Sequence, residues 1–241
     1  MAQVEATATI ASLRQKMRQI EAKSAAVGEG ASQIKESVRV APVPQWLAGH
    51  LPGGGVARGQ ATQISDCPAV LVDVLAHLTA QGMCVAVVDY PRLAIAAVAA
   101  AGGDVERLVL VPDSAPHTAA VLGTLIEGMD VVLFAAGGQG GRGMQRGAVP
   151  PTFARPVEVR LRKSECALLV CGRAWPQARM HVELQVCGVL GLRRGSGRIR
   201  AVEVEGRVWG KAQPPSAVRA TIGAEEAMGA ESAAEVGEQW A

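Results

Sequence analysis

The chain has 241 residues, 49% of them apolar, with 24 Lys and Arg against 22 Asp and Glu and only seven aromatic residues. That composition supports a buried core and excludes both a disordered chain and a disulfide scaffold, while a net charge of +2 by itself names no partner. Residues 1–22 lack the basic start and apolar run of a secretory leader, and the longest apolar run, 93–101, is too short to span a bilayer, so a cytoplasmic protein is expected.

Residues 7–25 predict a helix. Ile10, Leu13, Met17 and Ile20 fall on one face, with Arg14, Lys16, Arg18 and Lys23 around the other. A glycine-containing stretch follows at 27–32, so residues 1–40 read as a helical arm on a linker. Its apolar stripe (Leu13, Met17, Ile20) is a candidate surface for a partner or for self-association; packing on the chain's own core is the alternative.

The core is expected over 41–221. After an extended lead at 42–47, in which Trp46 is expected to cover a sheet edge, a strand–helix rhythm begins. Strands are predicted at 60–64, 84–89, 108–111 and 130–135, and helices at 69–81, 91–101 and 115–129. The unbroken apolar run in 84–89 suits a strand buried on both faces. Such alternation requires a mostly parallel sheet with right-handed crossovers. Asp89 and Asp113 end strands at the carboxyl edge, where open α/β sheets place ligands; a metal is one use of two acids there, and helix capping or turn formation is the simpler one.

Residues 137–151 are glycine-rich, expected to be flexible, and carry Arg142 and Arg146. A basic helix is predicted at 153–164 and a strand at 166–171. Two alternating strands, 182–192 and 198–209, form a hairpin with a tip at Arg193-Arg194-Gly195-Ser196-Gly197. From Arg142 to Arg219 there are 15 Lys and Arg against five Asp and Glu. That excess makes Arg142, Arg146, Arg193, Arg194 and Arg198 candidate DNA contacts, although no aromatic residues interleave with them; a solvated face is the alternative. The tail, 222–241, is acidic and free of Lys and Arg. It is expected to be flexible when free, with Met228, Val236 and Trp240 as candidate partner contacts; covering the basic face and simply aiding solubility are the alternatives.

The five cysteines form no Cys-x-x-Cys pair and read as buried apolar thiols, and the four histidines are scattered, so no metal site is expected. No acid–base pair, Ser-His-Asp set or reactive-thiol arrangement can be assembled either. The expectation is a protein without catalysis and without a cofactor.

Residues 51–78 have the strand–connection–helix order of a nucleotide-binding P-loop. The cradle itself is missing: Ser65-Asp66-Cys67-Pro68 has no glycine and no lysine, and puts an acid where anions should sit. With the strands at 83–89 and 130–136, the order and spacing over 42–138 resemble the RecA recombinase core. On that resemblance Asp66, Cys67 and Pro68 stand where the loop has Gly-Lys-Thr, Pro91 where RecA has its catalytic Glu, and Ala135 where it has a metal-binding Asp. The implied fold is RecA-like α/β: a mostly parallel sheet flanked by helices, with an antiparallel hairpin on the C-terminal side and an N-terminal helical arm, and no nucleotide site.

Within that superfamily the short chain, the Leu-Arg-Gln-Lys-Met-Arg-Gln-Ile helix at 13–20 and the late basic strands are similar to ImuA-type proteins, in particular the actinobacterial ImuA-prime form. This resemblance implies an accessory factor of damage-induced mutagenesis, binding an ImuB-like Y-family polymerase homologue and acting indirectly with an error-prone C-family polymerase. Two alternatives stand beside it: a nucleic-acid-binding module acting on single-stranded DNA or on RecA, and a SulA-like division inhibitor.

Overall fold

The computed structural model describes residues 40–137, 147–191 and 199–223. The predicted N-terminal helix with Leu13, Met17 and Ile20, the candidate contacts Arg142, Arg146, Arg193, Arg194 and Arg198, and the tail with Met228, Val236 and Trp240 lie outside the described residues.

The strands are β1 (Val40–Pro42), β2 (Gly55–Ala57), β3 (Ala61–Ile64), β4 (Val85–Val88), β5 (Leu108–Val111), β6 (Val131–Ala136), β7 (Ala167–Gly172), β8 (Met180–Leu190), β9 (Ala201–Gly210) and β10 (Gln213–Ile222). The helices are α1 (Gln45–Ala48), α2 (Pro68–Ala80), α3 (Ile95–Ala100), α4 (Thr118–Gly128) and α5 (Pro151–Leu161). Eight strands make one sheet in the order β10-β9-β8-β3-β7-β6-β4-β5. Strands β3 to β8 run parallel, and β9 is antiparallel to both its neighbours. The sheet is therefore mostly parallel, flanked by helices and extended at its C-terminal side by antiparallel strands, the α/β class expected from the sequence.

Burial follows the strand period of two. Val85, Val87, Val131, Leu133 and Leu169 pack on one face with α2 and α3. Ala86, Val88, Val132, Phe134 and Leu168 pack on the other with α4 and α5. Both faces are covered because each parallel crossover must carry the chain back over the sheet. All four residues of β4 are buried, whereas at the edge strand β5 Val109 is 45% exposed. No helix among the described residues is long and apolar enough to cross a membrane.

One expectation is refined and two are corrected. Trp46, on α1, packs partly buried against the core and reaches α2, its indole N–H donating to Asp73 at 2.8 Å. The helix predicted over 91–101 forms only at Ile95–Ala100, because Pro91 and its neighbours turn towards the end of β3. The hairpin acquires a third strand, β10, antiparallel to β9. Pro214 and Pro215 fall in the register irregularity between Gln213 and Ser216, on an edge strand where a missing N–H breaks no ladder bond. Gln213 Nε2 then donates to the His50 carbonyl at 2.7 Å, tying β10 to the segment before β2.

Close approach of β8 and β9 depends on glycine at position 206. Gly206 has φ +159°, and a Cβ there would lie 1.9 Å from the Glu183 carbonyl oxygen. Any side chain would push the two strands apart.

Candidate functional site

The connection after β3 is only three residues long. Ser65 extends the parallel ladder, its N–H donating to the Val182 carbonyl at 2.8 Å and its Oγ accepting from the Leu184 N–H at 3.0 Å. Buried Cys67 is the N-cap of α2 in extended conformation, and Pro68 occupies the first turn, where its missing N–H costs nothing. The chain thus enters α2 directly from Cys67.

Asp66, within that connection, has partners of its own. The Tyr90 hydroxyl donates to one carboxylate oxygen at 3.0 Å, and the Arg92 guanidinium pairs with the other. Arg92 also lies 5.1 Å from the Tyr90 ring centroid. Tyr90 is 5% exposed, and burial first, then the Asp66 charge, holds its phenol well above the usual tyrosine range, so it remains a neutral donor. Pro91, in the position of the expected Glu, turns the chain between Tyr90 and Arg92 so that both side chains reach Asp66. Ala135, on β6, packs against the core and offers no carboxylate.

Sequence reasoning brought Asp66, Cys67, Pro68 and Pro91 to one place but missed Tyr90 and Arg92. The available signal was that Tyr90 is the chain's single tyrosine, directly after a buried strand. Chemically the cluster is a closed contact: the one acid consumes the one cation and the hydroxyl, leaving a net charge unsuited to attracting a phosphate.

Asp89 has φ +58°, and its carboxylate accepts from both the N–H and the Oγ of Ser114 at 2.8 Å. Asp113 accepts from the Ala115 N–H at 3.1 Å. Both acids therefore brace the turn into α4. Among the described residues no group of three or more His, Cys, Asp or Glu is placed to hold a metal ion. Cys166 and Cys171 are buried, and that burial pushes both thiols up to about 12.

The described part of the basic third is partly paired: Arg162 with Glu158 at 3.6 Å, and Arg207 with Glu183 at 2.9 Å. It also contains an aromatic residue that the linear sequence did not place. Trp209 stacks on His181 at 5.1 Å between ring centroids, with the Arg207 guanidinium 4.9 Å from its own. Burial lowers the pKa of His181 from its ordinary value.

Fold and site together define a mostly parallel α/β scaffold in which Asp66, at the end of β3, is paired with Tyr90 and Arg92. The chain belongs to the MT3502 N-terminal domain family, which it matches over residues 49–177, a span that contains Asp66, Tyr90 and Arg92. It is 32% identical over 171 residues to the uncharacterized protein Rv3395c of Mycobacterium tuberculosis, covering 71% of this chain and 74% of that one. Among solved structures it is similar to the flagellar accessory protein FlaH of Methanocaldococcus jannaschii (12% identity, 70% of this chain and 92% of that chain, TM-score 0.35). It is also similar to a KaiC-like protein of Pyrococcus horikoshii (10% identity, 75% and 95%, TM-score 0.41). At these TM-scores neither likeness bears on function.

Proposed function

We propose that this protein is a non-catalytic, cytoplasmic accessory factor of DNA-damage-induced mutagenesis. In this reading the RecA-like core is a rigid platform, and an ImuB-like Y-family polymerase homologue is held by the N-terminal arm and the C-terminal tail. An error-prone C-family polymerase is engaged indirectly. The observation that carries the reading is the Asp66–Tyr90–Arg92 contact at the end of β3, which replaces a phosphate cradle with a self-satisfied cluster. A RecA-like chain without that cradle fits a role in binding rather than in ATP turnover.

The test is light scattering after size exclusion, on the full chain alone and mixed with its host's ImuB-like polymerase. Forms lacking residues 1–25 or 224–241 are run beside it, the second cut placed after the end of β10 at Ile222. A stable complex that is lost in either truncation supports the role and locates the contact. If none of the forms makes a complex, the accessory reading fails. A DNA affinity falling steeply with salt would then favour the nucleic-acid module, and binding to the tubulin-like division protein the SulA-like role.

A further inference from the structure

The sheet face that α2 covers runs on past its cover. Val182, Leu184, Val204, Val208 and Val218 are buried in the core on that face. Further along the same strands Val186 pairs with Val204, Val189 with Val202, and Val202 with Ile222 of β10. Cross-strand partners share a face, and the irregularity between Val186 and Gly188 lets Val186 and Val189, three residues apart, point to one side. Yet Val186 is 46% and Val189 42% exposed, and Val202 and Ile222 are only half-buried. An apolar stripe across three strands is thus left uncovered among the described residues.

The described chain ends on this stripe. Ile222 is the last residue of β10, and Gly223, at φ +87°, brings the backbone so close to Arg200 that a Cβ would lie 2.8 Å from the Arg200 carbonyl oxygen. Eighteen residues follow, 224–241, with Met228, Val236 and Trp240 among five Glu and no Lys or Arg. Arg200, exposed beside the exit, is of opposite charge to that segment. Met228 is six residues from Ile222. That is a reach of up to about 20 Å, whereas three neighbouring strands span about 10 Å.

Size decides between the occupants. Four aliphatic side chains at the ends of strands fall well short of the roughly 800 Å² that each partner of a stable complex buries, so a second copy or a free protein would hold poorly here. A tethered segment starts from an effective concentration on the order of millimolar, at which a few apolar contacts suffice. We propose that the C-terminal segment 224–241 folds back on its own sheet, seating Met228 and Trp240 on the stripe of Val186, Val189, Val202 and Ile222 with its glutamates towards Arg200. Docked there, it closes this face to other apolar partners and must lift before it holds anything else. The inference does not rest on the accessory role, and its test contains no polymerase.

The test is competition in the full-length protein. A fluorescent peptide with the sequence of 224–241 is titrated into the wild type and into a full-length double variant, Met228→Ser with Trp240→Ser. The variant is expected to bind the peptide saturably, and the wild type about tenfold more weakly, because its own segment already occupies the stripe. Adding Val186→Asp or Val189→Asp to the double variant, with folding checked by circular dichroism, is expected to weaken the peptide by about tenfold again. No saturable binding at millimolar peptide overturns the proposal, as does equal binding by wild type and double variant, or binding that the folded aspartate variants leave unchanged. A concentration-dependent dimer of the wild type in light scattering, lost in Val189→Asp, also overturns it and gives the stripe to a second copy.

Discussion

The Tyr90 hydroxyl and the Asp66 carboxylate meet at 3.0 Å across the ends of β4 and β3, joining two strands that are not neighbours in the sheet. Because Tyr90 must stay protonated to donate to Asp66, the contact has a pH signature. Burial and the Asp66 charge raise the Tyr90 pKa above its unfolded value near 10. The sign follows: below about pH 10 the stabilisation is fully present, and above it the unfolded chain ionises first and stability falls.

Tyr90→Phe is expected to flatten that alkaline slope relative to the wild type, and to cost roughly 1 kcal/mol near neutral pH. Cys166 and Cys171, whose pKa values are also raised, add a slope of the same sign, so the comparison between the two proteins is what isolates Tyr90. As the chain has one tyrosine, its ultraviolet titration reports this residue alone. Tyrosinate appearing near pH 10 while circular dichroism stays native would refute the assignment.

A second prediction concerns Trp175 and Glu158. The indole N–H donates to Glu158 Oε1 at 2.9 Å, and Glu158 is only 6% exposed. Trp175→Phe leaves a ring in place but strips the buried carboxylate of that donor, and is expected to cost about 2 kcal/mol. Glu158→Gln keeps an acceptor and should cost less. Urea midpoints of the two variants decide the order.

Two glycines separate steric clash from backbone strain. Gly206→Ala places a Cβ against the Glu183 carbonyl and should destabilise by about 2 kcal/mol or more. Gly82 has φ +84° but nothing within 4 Å of a Cβ, so Gly82→Ala should cost only the left-handed strain, about 1 kcal/mol. Equal losses in thermal denaturation would mean that β8 and β9 tolerate the extra atom.

The thiols should divide by exposure. Cys187 is exposed, whereas Cys166 and Cys171 are buried with pKa values pushed up to about 12. Iodoacetamide at mildly alkaline pH is expected to label Cys187 in the native protein, and Cys166 and Cys171 only after unfolding. Mass spectrometry of the alkylated peptides reads this directly.

The parallel core was legible because its signals are local and redundant. Val85–Val88 is apolar at every position, as burial on both faces demands, and Pro68 opens α2 where a first-turn proline belongs. The make-up of the turn after β3 was equally legible, since the lack of glycine and lysine at Ser65, Asp66, Cys67 and Pro68 is a fact of composition. Strand β10 was not: its two prolines argue against a strand unless it lies at an edge with a register shift, and edge position is a property of the assembled sheet.

The sequence by itself determined which residue types stand at the end of β3, because Ser65-Asp66-Cys67-Pro68 is read directly from the chain. Only the tertiary structure decided what they meet. Tyr90 and Arg92 lie 24 and 26 residues from Asp66, and the Val189, Val202 and Ile222 of the apolar stripe come from β8, β9 and β10. Such contacts depend on strand order and crossover direction, which place residues far apart in the chain at one edge of the sheet, and no local period encodes that neighbourhood.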